Sequence, residues 1–108
     1  MIGELINYFK KYVPLEQADC DFIAENIPVE MVSKNTFLLK EGDISTAFYF
    51  IISGSARLFY RSDTGEKTAF FYFENSFVSS YESFTKQTPS KDNLQTIEET
   101  TVAVISNE

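Results

Sequence analysis

The stretch Phe48-Tyr49-Phe50-Ile51-Ile52-Ser53-Gly54-Ser55-Ala56-Arg57-Leu58 sets two runs of β-branched and aromatic residues on either side of one glycine flanked by serines. Such residues suit a pleated backbone, and a glycine between them supplies the positive φ that a sharp corner needs. Two strands are predicted, Ala47 to Ile52 and Ala56 to Arg61. Outward from this pair, Glu41-Gly42-Asp43 and Asp63-Thr64-Gly65 carry the same turn chemistry. Further strands are expected at Glu30 to Ser33, Thr36 to Leu39, Lys67 to Phe73, Leu94 to Glu98 and Thr101 to Ile105. Short strands at roughly ten-residue spacing predict a mainly-β fold, a double-stranded β-helix or jelly roll in which two sheets fold over one another.

The period is different before the first strand. Ile2, Leu5, Ile6, Phe9 and Tyr12 recur at spacings of three and four, which predicts a helix ended by Val13-Pro14, with Glu4, Asn7, Lys10 and Lys11 on its other face. A second helix is expected from about Leu15 to Asn26, with Glu16 and Asp19 in its first turns and Leu15, Ala18, Phe22 and Ile23 as its apolar stripe. Pro28 stops it. The organisation is therefore N-terminal helices at 1–28 and a β-roll at 29–108, with Thr85 to Asn93 as a loop inside the roll.

The central strands are apolar on both faces: Phe48, Phe50 and Ile52 alternate with Tyr49 and Ile51, and positions 70–73 are all aromatic. One face fills the roll, and the other needs cover from the chain's own helices or from a partner surface.

Composition narrows the chemistry. With no histidine, the chain lacks the commonest metal ligand and general base together, and an enzymatic role is not expected. Cupin-type metal sites, built on a similar roll from histidines, are excluded on the same ground. Neither cofactor nor metal is expected. Glu98 and Glu99 would point to opposite faces of a shared strand, and Glu41 and Asp43 flank a turn glycine in solvent, so neither pair makes a catalytic dyad or a calcium site. The single cysteine, Cys20, cannot form an intramolecular disulfide, and it stands between Asp19 and Asp21, whose charges disfavour a thiolate. No basic leader precedes an apolar run, and no apolar stretch reaches the ~18 residues of a membrane span, so a cytoplasmic protein without membrane contact is expected. The balance of 9 basic against 16 acidic residues, −7, repels phosphate backbones. Any contact with DNA then belongs to another segment.

The runs Lys40-Glu41-Gly42-Asp43, Phe48 to Leu58 and Asp63-Thr64-Gly65-Glu66 resemble the first half of a cyclic nucleotide-binding domain, most of all the sensor domain of Crp/Fnr-type bacterial transcription regulators. The resemblance covers roughly Leu15 to Ser106 and implies that Gly42, Gly54 and Gly65 sit at the corners of a β-roll. It also implies a phosphate-binding cassette, in which a short helix offers backbone N–H groups to the cyclic phosphate, a glutamate holds the ribose and an arginine pairs with the phosphate. The matching segment runs from Phe73 to Phe84. The family's Phe-x-Gly-Glu falls on Phe77-Val78-Ser79-Ser80, and its arginine and following serine fall near Ser90-Lys91. Serines thus replace the close-approach glycine and the ribose carboxylate, and a lysine is the only cation in place of the arginine fork.

The cassette positions to watch are Ser79, Ser80, Tyr81, Ser90 and Lys91. Either Ser79, Ser80, Ser83, Ser90 and Lys91 cradle another small anionic effector, or the pocket is closed by its own rings, Tyr81 and Phe84 being suitable plugs. The resemblance further implies a homodimeric parent protein in which Ser106-Asn107-Glu108 opens a dimerisation helix, followed by a helix-turn-helix domain that contacts DNA. The rival expectation is a stand-alone interaction module that binds through Tyr49, Phe59 and the aromatic run at 70–73.

Overall fold

A computed structural model of the chain describes residues 1–106, apart from the side chains of Tyr81 and Glu82. Helices α1 (Ile2–Lys10) and α2 (Gln17–Asn26) precede strands β1 (Val29–Val32), β2 (Phe37–Leu39), β3 (Ala47–Ser53), β4 (Ala56–Ser62), β5 (Gly65–Tyr72) and β6 (Phe77–Val78). Helix α3 (Tyr81–Lys86) and strands β7 (Asn93–Thr96) and β8 (Thr100–Ser106) follow. Two antiparallel four-stranded sheets result, one in the order β1-β8-β3-β6 and the other β2-β7-β4-β5. The chain crosses from sheet to sheet at nearly every connection, as in a jelly roll. Strand β6 is two residues long, too short to leave a period in the sequence, and α3 occupies the start of the stretch expected to be a loop.

The alternation along β3 sorts its side chains between two cores. Tyr49 and Ile51 face inward and meet Leu39, Leu58, Val78, Leu94 and Val102 between the sheets. Phe50 and Ile52 face outward and pack with Leu5, Phe9, Ile23, Ala103 and Ile105. Helix α1 supplies that cover: Leu5 is fully buried, and the Tyr8 ring lies 5.2 Å from Phe50 and 5.5 Å from Phe77. The first sheet is thus apolar on both faces, and around Phe50 the chain's own helix covers the outer one.

The helical stripes differ from expectation at their ends. Helix α1 stops at Lys10, which leaves Tyr12 in solvent at 72% exposure. In α2 only Ile23 joins a core; Ala18 is exposed, Phe22 is 65% exposed, and the helix buries no residue fully. Its start is secured by Asp19, whose carboxylate accepts the Glu16 N–H at 3.0 Å. The aromatic run also divides, since Tyr72 packs inward while Phe70, Phe71 and Phe73 stay about 60% exposed.

The corner between β3 and β4 is the tightest in the molecule. Gly54 has φ +98°, and a Cβ placed there would lie 2.5 Å from Thr100 Oγ1 and 2.7 Å from the Glu99 carbonyl. Gly42, at φ +93°, has open space around it. Gly54→Ala is therefore expected to cost about 3–5 kcal/mol, combining backbone strain with overpacking, against about 1–2 kcal/mol for Gly42→Ala from strain alone. Urea unfolding of the two variants measures the difference.

Candidate functional site

The cassette is built on the return from β6 to β7. Asn75 turns the chain at φ +65° and donates its N–H to the Ile51 carbonyl at 2.8 Å, and β6 then pairs with β3 through Tyr49↔Val78 and Phe50↔Phe77. Ser80 precedes α3 and is buried, at 4% exposure, without a side-chain capping bond. Helix α3 ends on Gln87 in the left-handed conformation, φ +54° and ψ +44°.

A dense set of hydrogen bonds ties this segment to the β2–β3 connection. The Ser83 hydroxyl accepts the Ser45 N–H at 2.8 Å and donates to the Thr88 carbonyl at 2.6 Å. The Gln87 amide donates to the carbonyls of Ser45, at 2.9 Å, and Phe84, at 2.7 Å. The Ser90 hydroxyl donates to the Asp92 carbonyl and accepts the Asp92 N–H. The Ser90 backbone bonds Gly42 and Asp43, each at 2.8 Å. Both serine hydroxyls are spent on the chain's own backbone.

Ser80, Ser83, Pro89, Ser90, Lys91 and Asp92 line a cavity of about 230 Å³. Of the residues singled out in the sequence, Ser80, Ser90 and Lys91 come together here. Ser79 lies apart, on a groove of about 400 Å³ with Phe48, Phe77, Phe84 and Thr85. Phe84 does not plug the serine cavity; its ring meets Phe48 edge-on at 5.3 Å on the outer side of β3. The Tyr81 side chain, the other expected plug and a cassette position, falls outside the described residues, as do Asn107 and Glu108 of the expected helix start. Ser45 and Gln87 had no signal in the sequence, because Ser45 stands 38 residues from Ser83.

The family model of the cyclic nucleotide-binding domain matches residues 29–108. The chain belongs to that family. No protein of curated function matches it in sequence. In fold, this cyclic nucleotide-binding domain is similar to the sensor domain of the transcriptional regulator DNR from Pseudomonas aeruginosa, with a TM-score of 0.77 at 17% identity over 99% of this chain and 75% of that one. It is also similar to the catabolite activator protein of Thermus thermophilus, with a TM-score of 0.72 at 18% identity over 88% of this chain and 45% of that one. A third likeness is to the N-terminal domain of a transcriptional regulator from Streptomyces coelicolor A3(2), with a TM-score of 0.72 at 15% identity over 86% and 65%. The domain spans less than half of the activator protein's length. Among its described residues, no helix is long and apolar enough to cross a membrane.

Two groups beside the cassette titrate abnormally. Burial and the nearby Glu30 carboxylate raise the Tyr49 phenol above its ordinary 10.0, and burial with Asp92 raises Tyr72. Both phenols are held neutral in the fold and ionise more readily in the unfolded chain, so their contribution to stability is complete below pH 10 and declines above it. Tyr49→Phe is expected to flatten that alkaline decline in urea-unfolding curves taken on either side of pH 10. The strand expected over Leu94 to Glu98 ends at Thr96, so Glu98 lies beyond it and accepts the Ser55 hydroxyl at 2.6 Å. Removing the Ser83 hydroxyl strands the Ser45 N–H and frees the Thr88 carbonyl, so Ser83→Ala is expected to lower stability by about 2 kcal/mol. Hydrogen exchange of the Ser45 amide in that variant reports the loss locally.

Proposed function

We propose that this domain is the effector-sensing, regulatory part of a Crp/Fnr-like transcription regulator, non-enzymatic, with a cassette that does not take cAMP or cGMP. The observation that carries this is the engagement of the Ser83 and Ser90 hydroxyls with the chain's own backbone. A cyclic phosphate would find those groups already bonded. At the glycine and glutamate positions of the family stand Ser79 and Ser80, and Ser80 is buried. Loss of the ribose carboxylate and of the arginine fork weakens binding by about 1.5–3 kcal/mol each, or roughly a hundredfold to ten-thousandfold together.

Size and charge agree with this reading. The serine cavity, at about 230 Å³, is below the ~300 Å³ at which pockets for small organic ligands begin. It sets Lys91 beside Asp92, so it holds no excess positive charge for a phosphate. An effector in this cavity is smaller than a nucleotide and meets Lys91 and Asp92 together. The −7 charge supports a reading in which DNA contact belongs to another segment of a cytoplasmic, homodimeric parent protein. Regulation is then a population shift, in which an effector or partner bound along 75–91 favours one position of α3 and of the chain that follows β8.

A second reading, an interaction module, is favoured by Phe70, Phe71 and Phe73, exposed at 60, 59 and 60%, but not by Tyr49, which packs against the inner core, or Phe59, which is 3% exposed. Calorimetric titration decides the nucleotide question. The expected result is no saturable heat with cAMP or cGMP up to millimolar ligand, and a micromolar or tighter Kd for either would overturn the reading.

A further inference from the structure

We propose that the groove between α1 and α2 docks a basic amphipathic segment of another protein, independently of what the cassette binds. The groove, about 450 Å³ and open to solvent, is walled by Phe9, Val13, Leu15, Phe22 and Ile23, with Asp19 on its rim. Its apolar wall is presented rather than hidden: Val13 is 49% exposed and Phe22 65%, and Tyr12 beside them is 72% exposed. Helix α2 buries no residue fully. Its central phenylalanine has no partner in this chain's cores.

Charge selects the occupant. Asp19 and Glu25 stand three residues either side of Phe22, one turn above and below it on the helix surface. From Tyr12 to Ser33 the chain has carboxylates at Glu16, Asp19, Asp21, Glu25 and Glu30 and no lysine or arginine. Lys10 and Lys11 before this span and Lys34 after it make no ion pair with these carboxylates; among the described residues the ion pairs are Met1–Glu4 and Arg57–Glu66. A second copy of the chain would bring the same carboxylates to face these, and an anionic bilayer or a nucleic acid would be repelled. A free small molecule would not be enclosed by so open a groove. A polypeptide with apolar anchors for Phe22 and Val13, flanked by lysine or arginine for Asp19 and Glu25, satisfies both features.

The test is an NMR titration of the isotope-labelled chain with an amphipathic helical peptide of leucine and lysine, about 18 residues or five turns long, and with its leucine–glutamate counterpart. The expected result is shifts confined to residues 9–25 with the lysine peptide alone, a Kd that weakens as salt is raised, and about a tenfold weakening, or 1.4 kcal/mol, in both Phe22→Ser and Glu25→Lys. Both side chains are exposed, so thermal unfolding of these variants should stay close to that of the parent chain. Equal binding of the glutamate peptide, shifts centred on 70–73 or spread over the whole surface, or binding unchanged by Phe22→Ser would overturn the proposal. Self-association of the chain abolished by Phe22→Ser would overturn it as well, by giving the groove to a second copy.

Discussion

The backbone contact between two corners holds the roll together. At one end of the molecule the chain crosses between sheets at Ser53–Ala56 and again at Ile97–Thr100, and the two crossings touch where Gly54 has no side chain. The Thr100 hydroxyl accepts the Ser55 N–H at 3.3 Å and donates to the Glu98 carbonyl at 2.8 Å, while the Ile97 N–H bonds the Ser55 carbonyl. Thr100 and Ser55 are both buried, so these bonds are made away from water, where leaving them unmade would be costly. With the corners locked, β3 and β8 lie side by side in one sheet and β4 and β7 in the other. The pairs Ile51↔Val102 and Leu58↔Leu94 then meet in the space between.

Where local chemistry decides structure, the sequence was readable. Gly54 and Gly65 mark corners because the backbone there has positive φ, and the two-faced apolarity of β3 announces a second core before any helix is placed on it. What escaped was decided at a distance. Phe22 and Ile23 look equivalent on a helical wheel, but α2 packs by one edge and only Ile23 reaches the sheet. Tyr8, on no predicted stripe, became a main contact of Phe50 because α1 lies against the outer face of β3. The serines of the cassette could be named as a cluster. That Ser83 serves Ser45 and Thr88 instead of a ligand depends on a partner 38 residues away, which no local pattern encodes.

That arrangement alters what the cassette can do. In a cassette organised by an anion, the ligand orders the helix by bridging it to the roll, and its removal loosens both. Here the bridging is internal: Ser83 and Gln87 join α3 to Ser45, and Ser90 joins the following loop to Gly42 and Asp43. These bonds tie α3 to the roll from within the chain. An effector can shift such a segment only by binding one arrangement better than another, so it must either displace these bonds or act on surfaces that move with α3. The groove of Phe48, Phe77, Ser79 and Phe84 is one such surface, since it joins α3 directly to the outer face of β3.

Apolar surface and charge together sort what remains exposed. Helix α1 covers the outer face of the first sheet around Phe50, and most of the large uncovered rings stand at two places of different charge. On β5 and just beyond it, Phe70, Phe71 and Phe73 stand among both signs of charge, with Glu66 and Lys67 before them, Glu74 after them and Arg57 of the paired strand bonded to Glu66. On α2, Phe22 is flanked by carboxylates only. One net charge of −7 thus conceals a polar asymmetry: the span from Tyr12 to Ser33 alone carries −5. A basic partner drawn to the carboxylates of α2 finds no such excess beside the rings of β5. The two patches therefore set different charge beside their exposed rings, and the bonds that tie α3 to the roll involve neither of them.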